Sequence, residues 1–259
     1  MFKVSKKLIL TLSAASMAMM LPFPAAQAQD IDAAERAKIE RVLEEYLMEN
    51  PEIVVKAIRE LQRRQTLAQM LPTIQMYRDY LEREQGAPVL GNPNGDVTIV
   101  EFFDYRCSFC RRHFPAVMKL VQEDGNIRLI PRQFPILDRP GEAAVSFMAA
   151  AAALAAHKQG KFEEFHLATM MSEGSLTEDR LYDIAAGVGL DVAQLKTDMR
   201  SKLVEKNIRN TLSIGQDIGF DGTPGYIIGN DVVLGAEGYD RLVEAVARAR
   251  KQVADASVK

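Results

Sequence analysis

The sequence predicts an α/β protein in which one small β-sheet carries a long helical insertion and follows a helical N-terminal arm. Three observations lead to this fold class. An apolar run at 97–103 is followed at once by a segment with helical periodicity. Residues from about 141 to 219 are alanine-rich and broken only by glycines, and residues 30–85 contain no glycine. Short apolar runs are typical of buried strands, whereas the longer periodic segments indicate helices.

Residues 1–28 have the features of an export signal. Three lysines precede an apolar stretch from Leu8 to Leu21, and Ala26-Gln27-Ala28 follows it. This order is typical of a cleavable secretory signal, so we expect cleavage after Ala28 and a periplasmic mature chain of residues 29–259. Loss of the three lysines moves the formal net charge from −3 to −6. A mildly acidic chain without a basic tail argues against nucleic-acid binding.

Residues 29–85 are predicted to form a helical arm. Asn50-Pro51 indicates a new helix start, with Asn50 as its cap. Apolar residues recur at helical spacing on both sides of this break: Ile39, Val42, Leu43, Tyr46 and Leu47 before it, and Leu67, Met70, Ile74, Tyr77 and Leu81 after it. Such stripes need a partner surface. They pack either on their own domain or, as the position of the arm ahead of the main domain favours, on other copies of the arm, which makes it an oligomerisation arm.

Residues 86–259 are predicted to form the main domain, and the turn-rich segment 86–96 marks its start. A strand at 97–103, a helix from Cys107 and a strand near 127–134 make a β-α-β half. The helical insertion of about 141–219 follows, and then two short strands and a final helix from Tyr239. A β-α-β half, a helical block and a β-β-α half together describe a thioredoxin-like fold with an inserted helical domain.

Cys107 and Cys110 are the only cysteines of the chain. They stand two residues apart where the first strand gives way to a helix. At that place helix N–H groups favour a thiolate on the first sulfur, while the second lies one turn on and can close or resolve a disulfide. A structural disulfide here would close a loop of only about four residues and add little stability. The pair is therefore predicted to be redox-active.

The neighbours of the two cysteines are predicted to tune their chemistry. Ser108 can donate a hydrogen bond to the Cys107 sulfur, whereas Phe109 is apolar and carries no charge. We expect the pKa of Cys107 to lie below the free value of about 8.5 without reaching the acidic extreme. Glu101 is predicted to be buried behind the pair and to relay a proton from Cys110, and its burial would raise its pKa. Asp104 is the other candidate, although a surface turn is the simpler interpretation of it.

Thr223-Pro224 stands between two glycines, just before the strand that returns to the sheet. In a thioredoxin-like frame this proline has a cis peptide bond and faces the reactive sulfur. The backbone of Thr223 is then placed to pair with an extended substrate as an added strand.

Metal binding is the rival chemistry. Cys107, Cys110 and His113 form a C-x-x-C-x-x-H string, but a tetrahedral zinc site needs a fourth ligand and usually a second paired motif. His113 is interpreted as a surface residue. Cu(I) bound by the two thiolates stays open, because a soft ion suits them. No cofactor is expected.

The chain resembles the DsbA family of exported thiol–disulfide oxidoreductases. The resemblance rests on the run from Ile99 through Cys107-Ser108-Phe109-Cys110, the helical insertion and Gly222-Thr223-Pro224-Gly225. The segment from Ile39 to Glu52 is similar to one branch of that family, the suppressor of copper sensitivity protein C group with the related Com1-like outer-membrane proteins. The match extends over essentially the whole mature chain.

The resemblance implies Cys107 as nucleophile, Cys110 as resolving thiol and Pro224 as the cis proline. It also implies that the arm oligomerises, in some members as a trimer with disulfide isomerase activity. An aromatic Phe109 and a threonine before the proline are similar to dedicated isomerases, whereas oxidases of the family carry Pro-His between the cysteines. We therefore expect a periplasmic disulfide isomerase or reductase, with Ser108, Phe109 and Thr223 contacting misfolded or reduced exported proteins. A membrane redox partner would reset the pair. A thiol oxidase and a Cu(I)-binding protein are the alternatives.

Overall fold

The computed structural model describes residues 32–257, so the predicted signal segment lies outside the described residues. A mixed sheet and a set of helices make up this part of the chain. The strands are β1 (Leu90–Gly91), β2 (Val97–Phe103), β3 (Ile127–Gln133), β4 (Gly225–Ile228) and β5 (Asp231–Leu234). The helices are α1 (Ala33–Glu49), α2 (Glu52–Arg83), α3 (Ser108–Asp124), α4 (Val145–Lys158), α5 (Phe162–Met170), α6 (Glu178–Gly187), α7 (Val192–Met199), α8 (Lys202–Ile218) and α9 (Tyr239–Ser257).

The five strands lie in the order β1-β3-β2-β4-β5. β2 pairs in parallel with β3 and antiparallel with β4, and β4 pairs antiparallel with β5. Successive side chains of a strand point to opposite faces, and here both faces are buried. Ile99 and Phe103 of β2 pack with α3, whereas Val100 and Phe102 pack on the other face with residues of α2 and α8. This arrangement confirms the predicted thioredoxin-like sheet.

The predicted helical insertion is confirmed as five helices, α4 to α8, between β3 and β4. α4 is the inner helix of this block, because all of its alanines are buried. Small side chains let the neighbouring helices approach closely. In the part of the chain that the structure describes, every helix is too short or too polar to cross a membrane.

The two predicted stripes of the arm differ in the structure. The chain divides into compact units at Val55, and α1 lies in the first of them. None of the α1 side chains is buried, and the first stripe, Ile39 to Leu47, is exposed. In the second unit, Met70, Ile74 and Leu81 of α2 are buried against β2 and β3. The second stripe thus packs on its own domain, the alternative to pairing between copies.

Asn50 caps a different helix from the one expected. Its side-chain amide and its backbone N–H both donate to the carbonyl of Tyr46, at 2.9 and 3.0 Å. These two bonds satisfy the Tyr46 carbonyl in the last turn of α1. The prediction of Asn50 as the cap of the following helix is therefore wrong.

A buried carboxylate fastens two helices to the sheet edge within the second unit. Asp231 of β5 is fully buried, and its oxygens accept from Arg63 of α2 at 3.0 Å and from Arg248 of α9 at 2.7 Å. Arg63 stands between the two predicted apolar stripes of the arm. In the fold, Arg63 is the residue that ties α2 to β5.

Candidate active site

Cys107 is the N-cap residue of α3, directly after the turn that leaves β2. The residue is only 6% exposed, and in its protonated form the thiol donates to the carbonyl of Thr223 at 3.3 Å. The N-cap position brings its sulfur close to the free N–H groups of the first helical turn, where negative charge is favoured. The two cysteines are free thiols in the structure.

The pKa of Cys107 is lowered from its usual value of 9.0 to about 5. The Cys110 thiol is the main cause, because it donates a hydrogen bond to the Cys107 thiolate. The backbone N–H groups of Cys110 and Phe109 add to the effect, while burial opposes it. Cys107 is therefore a thiolate at neutral pH. Ser108, a possible donor from the sequence, is not among the groups that lower this pKa.

Cys110 has the opposite environment. It is fully buried, and burial together with the hydrogen bond to Cys107 and the charge of Glu101 raises its pKa far above the usual range. A charged group loses its hydration when it is buried, so the neutral form is favoured. Cys110 is therefore protonated at neutral pH and has to lose that proton before it can act as a nucleophile.

The Thr223–Pro224 peptide bond is cis, as predicted. The following glycine is required by packing, since a Cβ atom on Gly225 would lie 2.5 Å from the ring of Phe220. The Thr223 hydroxyl is buried and has no hydrogen-bond partner among the described residues. Because the Thr223 carbonyl already meets the Cys107 thiol, the structure brings this loop and the first cysteine together.

Glu101 lies on the same face of the sheet as the cysteines and is buried. Burial raises its pKa from 4.5 to about 7, and a hydrogen bond from Tyr226 acts in the opposite direction. The Tyr226 hydroxyl donates to Oε1 at 3.2 Å, whereas Oε2 has no partner among residues 32–257. The sequence placed Glu101 behind the cysteine pair, and its charge does act on Cys110 in the structure.

Asp104 is not the surface turn residue that the sequence suggested. It is buried, and its carboxylate accepts from the backbone N–H of Arg106 at 2.8 Å and of Leu137 at 3.1 Å. These bonds hold the turn between β2 and α3 against the chain that leaves β3. The interpretation of Asp104 as a surface residue is wrong because its partner, the Leu137 N–H, lies 33 residues further along the chain and cannot be foreseen from the local pattern.

His113 is also buried, and its prediction as a surface residue is wrong. Its Nδ1 lies 2.8 Å from the Tyr226 hydroxyl, and its Nε2 accepts from the backbone N–H of Gly238 at 3.2 Å. Both ring nitrogens are therefore engaged within the fold. Among the described residues, no group of three or more His, Cys, Asp or Glu side chains is placed to hold a metal ion. The Cu(I) hypothesis thus rests on Cys107 and Cys110 alone.

Phe109 is one of the two residues between the cysteines. It is apolar and exposed, with 57% of its surface accessible. The guanidinium of Arg112 lies 4.7 Å from the centre of its ring. Arg111 bonds instead to the carbonyls of Met170 and Gly174, at 3.3 and 3.1 Å, and so joins α3 to the loop after α5. Phe109 and Ser108 are both exposed and stay predicted substrate contacts.

Comparison with protein families gives two matches along the chain. The DsbA-like thioredoxin domain matches residues 98–247, which include both cysteines and the cis proline. The N-terminal domain of the copper resistance protein ScsC matches residues 35–66.

Solved structures and curated proteins extend the comparison. A thioredoxin-like oxidoreductase from Silicibacter pomeroyi is 46% identical, covers 67% of this chain and 98% of its own, and has a TM-score of 0.63. A linker-deletion variant of ScsC from Proteus mirabilis is 22% identical over 87% of this chain and 99% of its own, with a TM-score of 0.64. At that identity the likeness shows the fold alone.

A Na(+)/H(+) antiporter, NhaA 1 of Salinispora arenicola, is 30% identical over 62% of this chain and 24% of its own length. The chain therefore spans about a quarter of the length of this curated relative.

Proposed function

The chain belongs to the DsbA-like thioredoxin family of thiol–disulfide oxidoreductases, and from this premise we propose that it is a periplasmic disulfide isomerase or reductase acting on exported proteins. Cys107 is the nucleophile and Cys110 the resolving thiol. Thr223 and Pro224 present the strand edge along which substrate binds, and Ser108 and Phe109 contact it.

The reaction begins with the Cys107 thiolate, which attacks one sulfur of a substrate disulfide. A Cys107–substrate disulfide forms, and the other substrate sulfur leaves as a thiolate. In isomerisation that thiolate, or another of the substrate, attacks a new position and Cys107 is released unchanged. In reduction, Cys110 gives its proton to Glu101 and attacks the Cys107 sulfur. The substrate leaves reduced, and the two cysteines end as a disulfide.

The observation that carries the proposal is the contrast between the two thiols. Cys107 is ionised at neutral pH, so the attacking thiolate is present without a prior proton transfer. Cys110 is fully buried and its raised pKa keeps it protonated, so resolution waits for a proton transfer. A mixed disulfide that resolves slowly gives a misfolded substrate time to rearrange its bonds. The exposed, uncharged Phe109 supports this, since an apolar contact suits unfolded chains.

Thiol oxidase activity is the second candidate, and the same Cys107 supports it. A thiolate stabilised to a pKa of about 5 favours the reduced enzyme, which makes its disulfide a better oxidant. The two functions differ in the working state of the pair, which a membrane redox partner would set. An isomerase works from the dithiol, and an oxidase from the disulfide.

Reactivation of scrambled ribonuclease by the reduced mature chain, residues 29–259, tests the proposal. We expect native ribonuclease activity to return with the wild-type protein and not with Cys107→Ser. A Cys110→Ala variant keeps the attacking thiol and is the matched control, and it should retain isomerisation through the substrate's own thiols. No reactivation, together with rapid oxidation of reduced ribonuclease by the disulfide form, would contradict isomerase function and support the oxidase.

A further inference from the structure

Glu101 is linked to the interior of the fold by a short chain of hydrogen bonds. It stands opposite Tyr226 in the antiparallel pairing of β2 with β4. Tyr226 donates to Glu101 Oε1 at 3.2 Å, and the same hydroxyl lies 2.8 Å from His113 Nδ1. All three side chains are buried, so water is not available to replace these bonds.

The backbone N–H of Gly238 fixes which atoms donate and which accept in this series of hydrogen bonds. His113 Nε2 accepts the backbone N–H of Gly238 at 3.2 Å, so in the neutral ring the proton is on Nδ1. Burial lowers the pKa of His113 and keeps the ring neutral. Nδ1–H can then only donate to the Tyr226 oxygen. The tyrosine proton is left to point at Glu101.

We infer that His113 is a positioning residue for the resolving step, because it orients the Tyr226 hydroxyl so that one Glu101 oxygen is held and the other receives the Cys110 proton. This inference rests on the proposed function. The oxygen held is Oε1, and Oε2, which has no partner among the described residues, is the acceptor. The proton passes from the Cys110 sulfur to Oε2. The sulfur then attacks Cys107, and the electron pair of the broken bond leaves with the substrate thiolate.

The other ionisable groups near this chain can be named. The charge of Glu101 raises the pKa values of Cys110, Tyr226 and Tyr105. The charge of Cys107 also raises the pKa of Tyr226. Glu237 is the charged group that acts on His113. Tyr105 bonds to His166 Nδ1 at 2.8 Å rather than to Glu101. Tyr226 is thus the hydroxyl that bonds the carboxylate, and its loss should raise the pKa of Glu101.

The test follows the two chemical steps separately in the full mature chain, with oxidised glutathione as the probe. Formation of the Cys107–glutathione disulfide reports attack, and its decay to the intramolecular disulfide reports resolution. We expect the resolution rate of wild type to rise with pH through a midpoint near 7, where Glu101 becomes a carboxylate. In Tyr226→Phe and His113→Leu the midpoint should move to higher pH. At pH values below the wild-type midpoint, resolution in these two variants should be about tenfold slower than in wild type, which is the effect of one lost hydrogen bond to a charged group.

Two further variants separate positioning from a merely structural role. His113→Asn keeps an N–H donor near Nδ1 and should restore the wild-type midpoint in part. Tyr105→Phe removes a buried tyrosine hydroxyl that does not bond Glu101, so its midpoint should match wild type. A rate that falls equally at all pH values, or an unchanged midpoint in Tyr226→Phe, would overturn the inference. Tyr226→Phe decides the question if His113→Leu does not fold.

The outcome also distinguishes this inference from the proposed function. If wild-type Cys107 forms no glutathione disulfide, the proposed function fails. If the disulfide forms normally and resolves with the same pH profile in Tyr226→Phe, the inference alone fails.

Discussion

At the level of single residues, Cys107 and Cys110 carry the same thiol in two different environments. Cys107 caps α3 and is stabilised as a thiolate by the Cys110 thiol and by the amides of the first turn. Cys110 lies one turn deeper and is fully buried beside Glu101. The sequence predicts this difference in kind, since the strand-to-helix junction alone places one sulfur at the helix start and the other within the helix.

Titration of Cys107 tests this difference. In the reduced wild-type protein, thiolate absorbance in the ultraviolet should be present at neutral pH and should disappear as the pH falls through about 5. In Cys110→Ala the main stabilising hydrogen bond is lost, so the pKa of Cys107 should rise. The matched variant Ser108→Ala should leave it unchanged, because the Ser108 hydroxyl is not among the groups that lower it. A Cys107 pKa near 9 in wild type would contradict the assignment.

Burial of polar residues is where reasoning from the sequence failed at this scale. Asp104 and His113 were interpreted as surface residues because both follow the local pattern of a turn or an exposed helix face. Their partners, the Leu137 N–H and the Tyr226 hydroxyl, come from distant parts of the chain. Only the fold brings such groups together. Glu101 could be predicted as buried because apolar residues surround it on both sides of its strand.

At the level of elements, the start of α4 is joined to the active-site turn by one carboxylate. Asp138 accepts from the N–H groups of Ser146 and Phe147, each at 2.8 Å, and also from the Arg106 guanidinium at 3.0 Å. Asp138 lies in the loop before α4 and accepts from N–H groups of its first turn, as an N-cap side chain would. The insertion as a helical block could be predicted from its alanines and glycines. The contact of Asp138 with the start of α4 could not be predicted, because it depends on the conformation of the loop between β3 and α4.

Replacement of Asp138 should destabilise the protein measurably. Asp138→Ala removes two N-terminal hydrogen bonds of α4 and the partner of Arg106, so we expect a loss of about 1–2 kcal/mol in the free energy of unfolding. Asp138→Asn keeps one oxygen acceptor and should lose less. Urea unfolding of the reduced mature chain measures both. Equal stability of Asp138→Ala and wild type would contradict the capping role.

At the level of the whole molecule, the exposed apolar stripe of α1 bears on whether several copies of the chain, and so several active sites, assemble. α1 presents the stripe Ile39 to Leu47 with every side chain exposed, and this stripe is as apolar as the one in α2 that packs on the sheet. An exposed stripe of this kind is a candidate contact between copies. Periodicity alone gave both stripes the same interpretation. The second stripe is buried because it packs on an apolar face of the sheet within its own unit.

A charge placed in the first stripe tests oligomerisation. Val42→Glu should convert the mature chain from the proposed trimer to a monomer, because burying an unpaired carboxylate in an apolar contact is unfavourable. Met48→Glu adds the same charge at an exposed position outside the stripe and should keep the wild-type mass. Sedimentation equilibrium at micromolar concentration measures the mass. A monomeric wild-type chain would contradict self-association through the arm.

The assignment of Cys107 as the attacking thiol is the central claim, and trapping of the mixed disulfide tests it most directly. The reduced Cys110→Ala variant is mixed with a disulfide-containing peptide, and the product is identified by mass spectrometry after proteolysis. We predict a stable peptide disulfide on Cys107, whereas the Cys107→Ala variant at the same pH should trap little peptide through the protonated, buried Cys110. Equal or preferential trapping through Cys110 would contradict the account.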